Sequence, residues 1–131
     1  MRKNLIRDDL IYPDLSYAVV GILFNVSNNL SFGHKEKFYE KAVAKELKES
    51  NLEFKEQLPA KILYKGEPIG IYYFDFLIEN KIILEIKVKN HFSAKDIDQL
   101  YSYLKAKKIK LGILAYFGKN GIRFKRVINV K

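Results

Sequence analysis

The chain has 131 residues, 48% of them hydrophobic and none of them Cys, so it suits one domain with an ordinary core and excludes disulfides, thiolate zinc sites and Cys nucleophiles. Its longest clean apolar run, residues 17–24, is too short to span a membrane, and the residues after Met1 do not predict a secretory signal. The net charge of +9 lies wholly in residues 99–131, which hold nine basic residues and no acid, and this asymmetry predicts a polyanionic partner, most simply nucleic acid.

The first half of the chain predicts two helices and a strand. Residues 15–26 form an apolar run typical of a helix. Between residues 34 and 50 the apolar side chains recur at steps of three and four, which predicts a second, amphipathic helix. Residues 52–64 predict a strand interrupted by Pro59, and Gly66 begins the turn that leads to a partner strand.

The clearest alternating pattern lies in residues 70–78 and 81–89, which predict two strands of one hairpin. Cross-strand neighbours point to the same side of a sheet, so the apolar rows of the two strands face one side only if the paired residue numbers have an even sum. A three-residue loop at 79–81, with Asn80 in the left-handed conformation, satisfies this condition. Alternation in the first strand then predicts one shared face for four apolar residues: Tyr72, Phe74, Phe76 and Ile78.

The same register sets Asp75 directly across from Glu85, beside Lys87. Opposed carboxylates repel each other, and a divalent cation between them removes this cost; Mg²⁺ prefers such oxygen ligands. A metal ion bound there could activate water for attack on a phosphodiester, and Lys87 would then hold that water or neutralise the phosphate. The alternative interpretation is that these residues form the solvated face of a half-exposed hairpin, with Lys offsetting the acids.

The rest of the chain predicts a helix and two strands. Ser93 begins the third helix, whose buried stripe consists of Ile97, Leu100, Tyr101 and Leu104. Residues 111–117 and 122–130 predict the last two strands. The order α-α-β-β-β-α-β-β indicates a mixed α/β domain with one sheet flanked by helices, at residues 15–131, after an N-terminal segment at 1–14. The composition predicts a soluble, cytoplasmic protein.

Asp75 followed by Glu85-Ile86-Lys87, on a hairpin preceded by a helix with Glu, resembles the core of the PD-(D/E)XK nuclease superfamily. Residues 33–39 fit the GxxExxY pattern that names a small family within it, and residues 99–103 fit the QxxxY helix motif of RecB-like nucleases. The resemblance covers nearly the whole chain from about residue 15. It implies a restriction-endonuclease-like core, with a mixed central sheet flanked by helices.

Carried over to this sequence, the resemblance implies that Asp75 and Glu85 ligate a divalent metal, Mg²⁺ or Mn²⁺. The backbone carbonyl of Ile86 would be a third protein ligand, and Lys87 would be the catalytic lysine. The resulting activity would be metal-dependent hydrolysis of nucleic-acid phosphodiester bonds, most simply in DNA, by metal-activated water, as an endo- or exodeoxyribonuclease.

Further site residues are implied on the two amphipathic helices. Glu36 and Glu40 lie one turn apart, and one of them would complete the metal shell; the alternative is an exposed helix face paired with neighbouring lysines. Gln99 and Tyr103 would orient the acids or touch DNA, or else border the core stripe.

The acid-free segment would hold the phosphate backbone while the carboxylates hold the metal. Two other functions fit the sequence: a non-catalytic nucleic-acid-binding module that retains the nuclease fold, and a basic protein-interaction domain. Both a monomer and a homodimer, which would supply two sites for a duplex, are compatible with the sequence. Six basic residues are predicted to contact nucleic acid, together with Tyr103: Lys105, Lys107, Lys108, Arg123, Lys125 and Arg126.

Overall fold

The structure, a computed structural model, describes residues 11–130, so most of the predicted N-terminal segment and Lys131 lie outside the described residues. Three helices and five strands follow in the predicted order. No helix in the described range is long and apolar enough to cross a membrane. The elements are α1 (Pro13–Asn29), α2 (Glu36–Glu49), β1 (Phe54–Tyr64), β2 (Glu67–Ile78), β3 (Ile82–Lys87), α3 (Ala94–Lys107), β4 (Leu111–Gly118) and β5 (Gly121–Ile128).

The five strands form one sheet in the order β1-β2-β3-β4-β5. Neighbouring strands are antiparallel except β3 and β4, which are parallel and are joined by α3, since parallel strands need a crossover connection. One apolar cluster packs α1 and α2 against the sheet, and a second packs α3 against the other face. This confirms the mixed α/β, restriction-endonuclease-like architecture, with β3 buried between the helical layers.

The turn between β2 and β3 has the predicted three-residue form. Ile78 pairs with Ile82, and both Glu79 and Asn80 are left-handed, with φ of 53° and 56°. The Lys81 amide donates to the Ile78 carbonyl at 2.9 Å and closes the turn. The predicted register is therefore confirmed.

The apolar row of β2 does not share one face, so that prediction is wrong. Tyr72 and Phe74 pack in the α3 cluster, whereas Phe76 packs in the cluster beneath α1 and α2. The face on which the β2 side chains lie changes at Asp75. The β1–β2 register places Gln57 opposite Asp75, but these two residues do not form a ladder pair. Gln57 is left-handed, with φ of 54°, and such a residue interrupts the alternation of side chains along a strand.

Much of β2 extends beyond β3. Its ladder with β3 covers only residues 76–78, whereas β1 follows it almost to the turn at Gly66. Residues 58–64 and 67–74 thus form a two-stranded projection, which we call the arm. Leu63, Ile69 and Ile71 on the arm are each more than half exposed.

Close approach between α3 and the sheet depends on Gly112 in β4. A Cβ at this position would lie 2.9 Å from Leu100, whose side chain is fully buried and has no room to retreat. We expect Gly112→Ala to lower the free energy of unfolding in urea by about 1–3 kcal/mol through overpacking. The matched control is Gly21→Ala in α1, where a Cβ meets nothing within 4 Å, and which should stabilise by roughly 0.5–1 kcal/mol. Equal effects of the two substitutions would contradict this packing argument.

Candidate active site

The site lies where the β2–β3 ladder stops. Beyond the pair Phe76↔Leu84, side chains replace backbone bonds between the strands. The Asp75 amide donates to Glu85 Oε1 at 3.0 Å, and the Ile86 amide donates to Asp75 Oδ2 at 2.7 Å. The two carboxylates predicted to face each other are therefore adjacent, and each also joins one strand to the other.

Two further acids reach this point from the first turns of α2. Glu36, Glu40 and Asp75 each offer a carboxylate oxygen, and these oxygens all lie within 4.8 Å of one another. α2 presents them because Tyr39, Val43 and Leu47 are its buried residues, which places residues 36 and 40 beside the packed stripe. The structure thus brings both candidate helix acids to Asp75. The Gln57 side chain contacts Glu40 at 3.4 Å from the arm side.

Burial raises the pKa values of three acids in the cluster: Asp75, Glu85 and Glu40. Burial first, and the negative charge of Glu85 second, raise the pKa of Asp75 to about 9. Burial also raises the pKa of Glu85 in spite of the hydrogen bonds that it accepts. The pKa of Glu40 is raised by burial and by the adjacent Glu36. Asp75 therefore holds a proton near neutral pH, and a bound cation could replace it.

Lys87 joins the cluster through Tyr72. Its Nζ lies 3.0 Å from the Tyr72 hydroxyl and 3.7 Å from Glu85 Oε2, while the Tyr72 hydroxyl donates to that same Glu85 oxygen. Burial and this bond raise the pKa of Tyr72 well above its usual range, so its hydroxyl stays protonated and remains a donor. Tyr72 thus fixes the ammonium and the carboxylate relative to each other.

A second polar group braces the N-terminus of α3 near the site. Ser93 caps the helix by accepting from the Asp96 amide at 3.2 Å, so the predicted helix start is confirmed. The Asp96 carboxylate accepts from Tyr116 and pairs with Lys89 Nζ at 2.8 Å. Burial raises the pKa of the Asp96 carboxyl, but the hydrogen bonds from Lys89 and Tyr116 lower it by more, so the pKa lies below its usual value. The brace fixes the end of α3 against β4.

The motif residues of α3 line a groove between that helix and the arm. Gln99 and Tyr103 both contribute to its wall, as does Tyr72. Tyr103 is largely buried, with its ring 4.4 Å from that of Phe74. Gln99 therefore lies on the groove side of α3, whereas Tyr103 serves both the groove and the core.

The structure does not gather the six basic candidates on one surface. Lys107 lines the groove, whereas Lys105 and Lys108 line a separate depression. The Nε of Arg126 donates to Ser16 Oγ on α1 at 3.0 Å, and its guanidinium lies over Phe124. Arg123 and Lys125 point to the opposite face of β5 from Arg126, because β5 alternates and its even-numbered apolar residues pack beneath α1.

Sequence reasoning missed Tyr72 because regular alternation puts it on the opposite face from Asp75 and Glu85. The change of face between Phe74 and Phe76 puts the ring on the side of Lys87. Asp96 and Tyr116 were missed because each looks like an ordinary helix-start or strand residue. The sequence did contain one indication of the role of Asp96. Asp is a weaker member of a capping box than Glu or Gln, so a carboxylate at this position of the first turn is available to another partner.

Comparison with known proteins supports this architecture. The crystal structure of SSO0001 is similar to the chain, with a TM-score of 0.53 and 21% sequence identity, over 92% of this chain and 59% of that one. The chain thus spans less than two thirds of that protein's length, and at this identity the likeness shows the fold alone. No curated protein matches the sequence significantly.

The sequence profile of one family matches nearly the full length of the domain, over residues 13–127. This range includes α1 at its start and most of β5 at its end. It therefore takes in the hairpin acids, Lys87 and the motif residues of both amphipathic helices. The chain belongs to the PD-(D/E)XK nuclease superfamily.

Proposed function

We propose that the protein is a divalent-metal-dependent nuclease that hydrolyses DNA phosphodiester bonds through metal-activated water. Membership of a nuclease superfamily supports a nucleic-acid substrate. One observation carries the proposal: buried carboxylates from β2 and β3 meet helix acids and a lysine where the ladder ends. A module that only bound nucleic acid would have no use for several carboxyl groups packed together beside a lysine, because each one that ionises repels a polyanion.

The donor set suits a hard cation. Glu36, Glu40 and Asp75 offer carboxylate oxygens within 4.8 Å of one another. Glu85, which accepts from the Asp75 amide, and the Ile86 carbonyl are the other proposed ligands. Oxygen donors of this kind suit Mg²⁺ or Mn²⁺, and burial raises the carboxyl pKa values of both Asp75 and Glu85. When bound, such an ion supplies an activated water nucleophile and offsets charge that develops on the phosphate.

The protein's own residues would divide the remaining work. Lys87 places a compact positive charge beside Glu85, where it can neutralise the scissile phosphate and orient the attacking water. Tyr72 holds Lys87 and Glu85 in fixed relation before substrate arrives, so less reorganisation is needed during reaction. Gln99 lines the groove that begins at Tyr72 and is our candidate for orienting the substrate strand.

We also infer membership of the GxxExxY family within the superfamily. Each named position of that pattern has a separate structural reason here. Gly33 has φ of 108° in the turn before α2, which favours glycine. Glu36 belongs to the acidic cluster. Tyr39 donates to the Ser31 carbonyl at 2.8 Å and stacks on Phe117 with ring centroids 4.6 Å apart.

The remaining basic side chains are proposed as backbone contacts. Lys107 is placed best, because it lines the groove next to the site. The other five would supply a positive field that attracts DNA and weakens as salt rises. They are Lys105, Lys108, Arg123, Lys125 and Arg126.

The test is cleavage of supercoiled plasmid and of single-stranded DNA by purified protein, with Mg²⁺, with Mn²⁺ and with EDTA. We expect cleavage with either metal and none in EDTA. Salt-sensitive DNA binding without cleavage under every metal condition would instead identify the non-catalytic binding module and overturn the proposal.

Tyr72→Phe tests the proposed placement of Lys87. The substitution removes one hydroxyl that bonds two charged groups, and such bonds contribute about 1.5–3 kcal/mol, so we expect kcat to fall roughly 10- to 100-fold. The affinity for DNA in EDTA should change little, because the ring remains. Tyr73→Phe, on the same strand and half exposed, is the matched control, and a similar loss of kcat in both variants would argue against a role for the Tyr72 hydroxyl.

A further inference from the structure

A groove runs from the candidate site along the junction of the arm and α3. It encloses about 860 Å³, a volume in the range of sites for small organic ligands. One end is Tyr72, whose hydroxyl bonds Glu85. The groove is therefore separated from Glu85 by the Tyr72 side chain alone.

The walls of the groove are aromatic and aliphatic. The Tyr72 and Phe74 rings are 4.9 Å apart, and Phe74 lies 4.4 Å from Tyr103, so an aromatic row crosses from the arm to α3. Ile62 and Ile71 continue the apolar wall on the arm. Phe74 and Tyr103 are only 2% and 8% exposed and form the floor of the groove, so the half-buried Tyr72 ring and the aliphatic side chains are the surfaces that an unstacked base would contact.

A duplex presents different chemistry. Its outer surface is phosphate, and its base edges are reached only through the major and minor grooves of the DNA. A duplex therefore offers no apolar surface that the walls of the protein groove could bind. The volume also suits a few bases of one strand rather than two paired strands. A ribose 2′-hydroxyl against apolar walls would lose hydration without a partner, which favours DNA over RNA.

Charge at the groove agrees with a strand that has a phosphate backbone. Lys61 on the arm and Lys107 on α3 both line it, and no acid of the described chain does. Lys107 Nζ lies 5.9 Å from the centre of the Tyr103 ring, so a cation lies beside the aromatic row. Together they match the alternation of base and phosphate along one strand.

We propose that this groove binds single-stranded DNA and delivers its backbone to the carboxylate cluster. The inference rests on the proposed nuclease function for the purpose of the groove, but binding itself requires no cleavage. A single strand needs one site, so this substrate does not call for the homodimer that cutting both strands of a duplex would use.

Binding is measured by fluorescence anisotropy in EDTA, where cleavage is prevented. The probes are a fluorescein-labelled single-stranded DNA, the duplex of the same sequence and the matching RNA strand. The test variants are Ile71→Asp and Lys107→Glu. The controls are Ile69→Asp, on the same arm but outside the groove lining, and Lys48→Glu, at the far end of α2. Ile71 and Ile69 are 55% and 66% exposed, so neither substitution disturbs the core.

We expect the single-stranded DNA to bind at least about tenfold more tightly than the duplex or the RNA. Each groove variant should weaken that binding at least about tenfold, whereas each control should stay within about twofold of the unsubstituted protein. Tighter binding of the duplex or of RNA, or undiminished binding by Ile71→Asp, would overturn the proposal.

The same measurements separate this inference from the nuclease proposal. Groove-dependent binding without metal-dependent cleavage would reject the nuclease and retain the groove. Metal-dependent cleavage of duplex that Ile71→Asp and Lys107→Glu leave unchanged would reject the groove and retain the nuclease.

Discussion

Lys87→Ala should leave the protein folded and able to bind DNA, yet reduce metal-dependent cleavage by at least about 10²–10³-fold. Removal of one preorganised charge or donor at a reacting centre has an effect of this size. The Lys87 ammonium contacts only Tyr72 and Glu85 among the described polar contacts, so its loss does not dismantle the sheet. Glu85→Gln should lose at least as much, because it removes a proposed ligand. Cleavage is followed with plasmid at saturating Mg²⁺, and folding by circular dichroism.

The matched control for Glu85→Gln is Glu49→Gln, at the other end of α2 from the cluster. Within residues 11–130, Glu49 pairs with Lys45 in an exposed ion pair, which contributes little to stability. Its cleavage rate should equal that of the unsubstituted protein. Cleavage by Lys87→Ala at the unsubstituted rate would show that the assignment of Lys87 is wrong.

Asp75→Asn should abolish cleavage and, in EDTA at pH 8, raise the free energy of unfolding by about 1–3 kcal/mol. The amide keeps an oxygen that can accept from the Ile86 amide, as Asp75 does at 2.7 Å. Its NH₂ group can donate to the neighbouring acids, and the substitution removes a carboxyl whose pKa burial raises to about 9. Urea denaturation of the two proteins measures the difference.

The gain in unfolding free energy from Asp75→Asn should increase as pH rises. Because the pKa of Asp75 is raised, the folded metal-free protein binds more protons than the unfolded chain between about pH 4 and pH 9. The stability of the unsubstituted protein should therefore fall as pH rises through this window. Asp75→Asn should show a shallower decline, with the remaining slope due to Glu85 and Glu40, whose pKa values are also raised.

Asp14→Asn provides the control, since Asp14 is an exposed acid in the first turn of α1. It should give no stabilisation. Adding Mg²⁺ should stabilise the unsubstituted protein, because a ligand that binds only the folded state shifts the equilibrium towards it, and should stabilise Asp75→Asn less. Destabilisation by Asp75→Asn throughout the pH range would contradict the electrostatic explanation.

The sequence predicted those parts of the fold that follow from local pattern. Helical spacing and strand alternation were enough for the element order, and the parity of the apolar rows was enough for the loop at 79–81 and the adjacency of Asp75 and Glu85. These features depend on neighbours within a few residues. The same rules placed Glu36 and Glu40 on one helix face, which the structure brings to Asp75.

What the sequence did not predict depends on a single exceptional residue or on distant contacts. Gln has no marked preference for positive φ, so nothing marked Gln57 as the point where the strand faces reverse. Tyr72 could not be assigned without that reversal. Arg126 counted as one basic charge among nine, yet its partner Ser16 lies 110 residues earlier in the chain, and only the folded sheet brings them together.

The bonds that replace the β2–β3 ladder separate two kinds of constraint on this fold. Oxygen acceptors at 75 and 85 hold backbone amides across the strand junction, so the architecture needs them whether or not the protein reacts with anything. The Lys87 ammonium contacts the side chains of Tyr72 and Glu85 and holds no backbone amide in this way. Among chains that share this fold, an acceptor at each of these two positions would report only an intact junction. A lysine at position 87 would distinguish proteins that retain the proposed nuclease activity from relatives that have lost it.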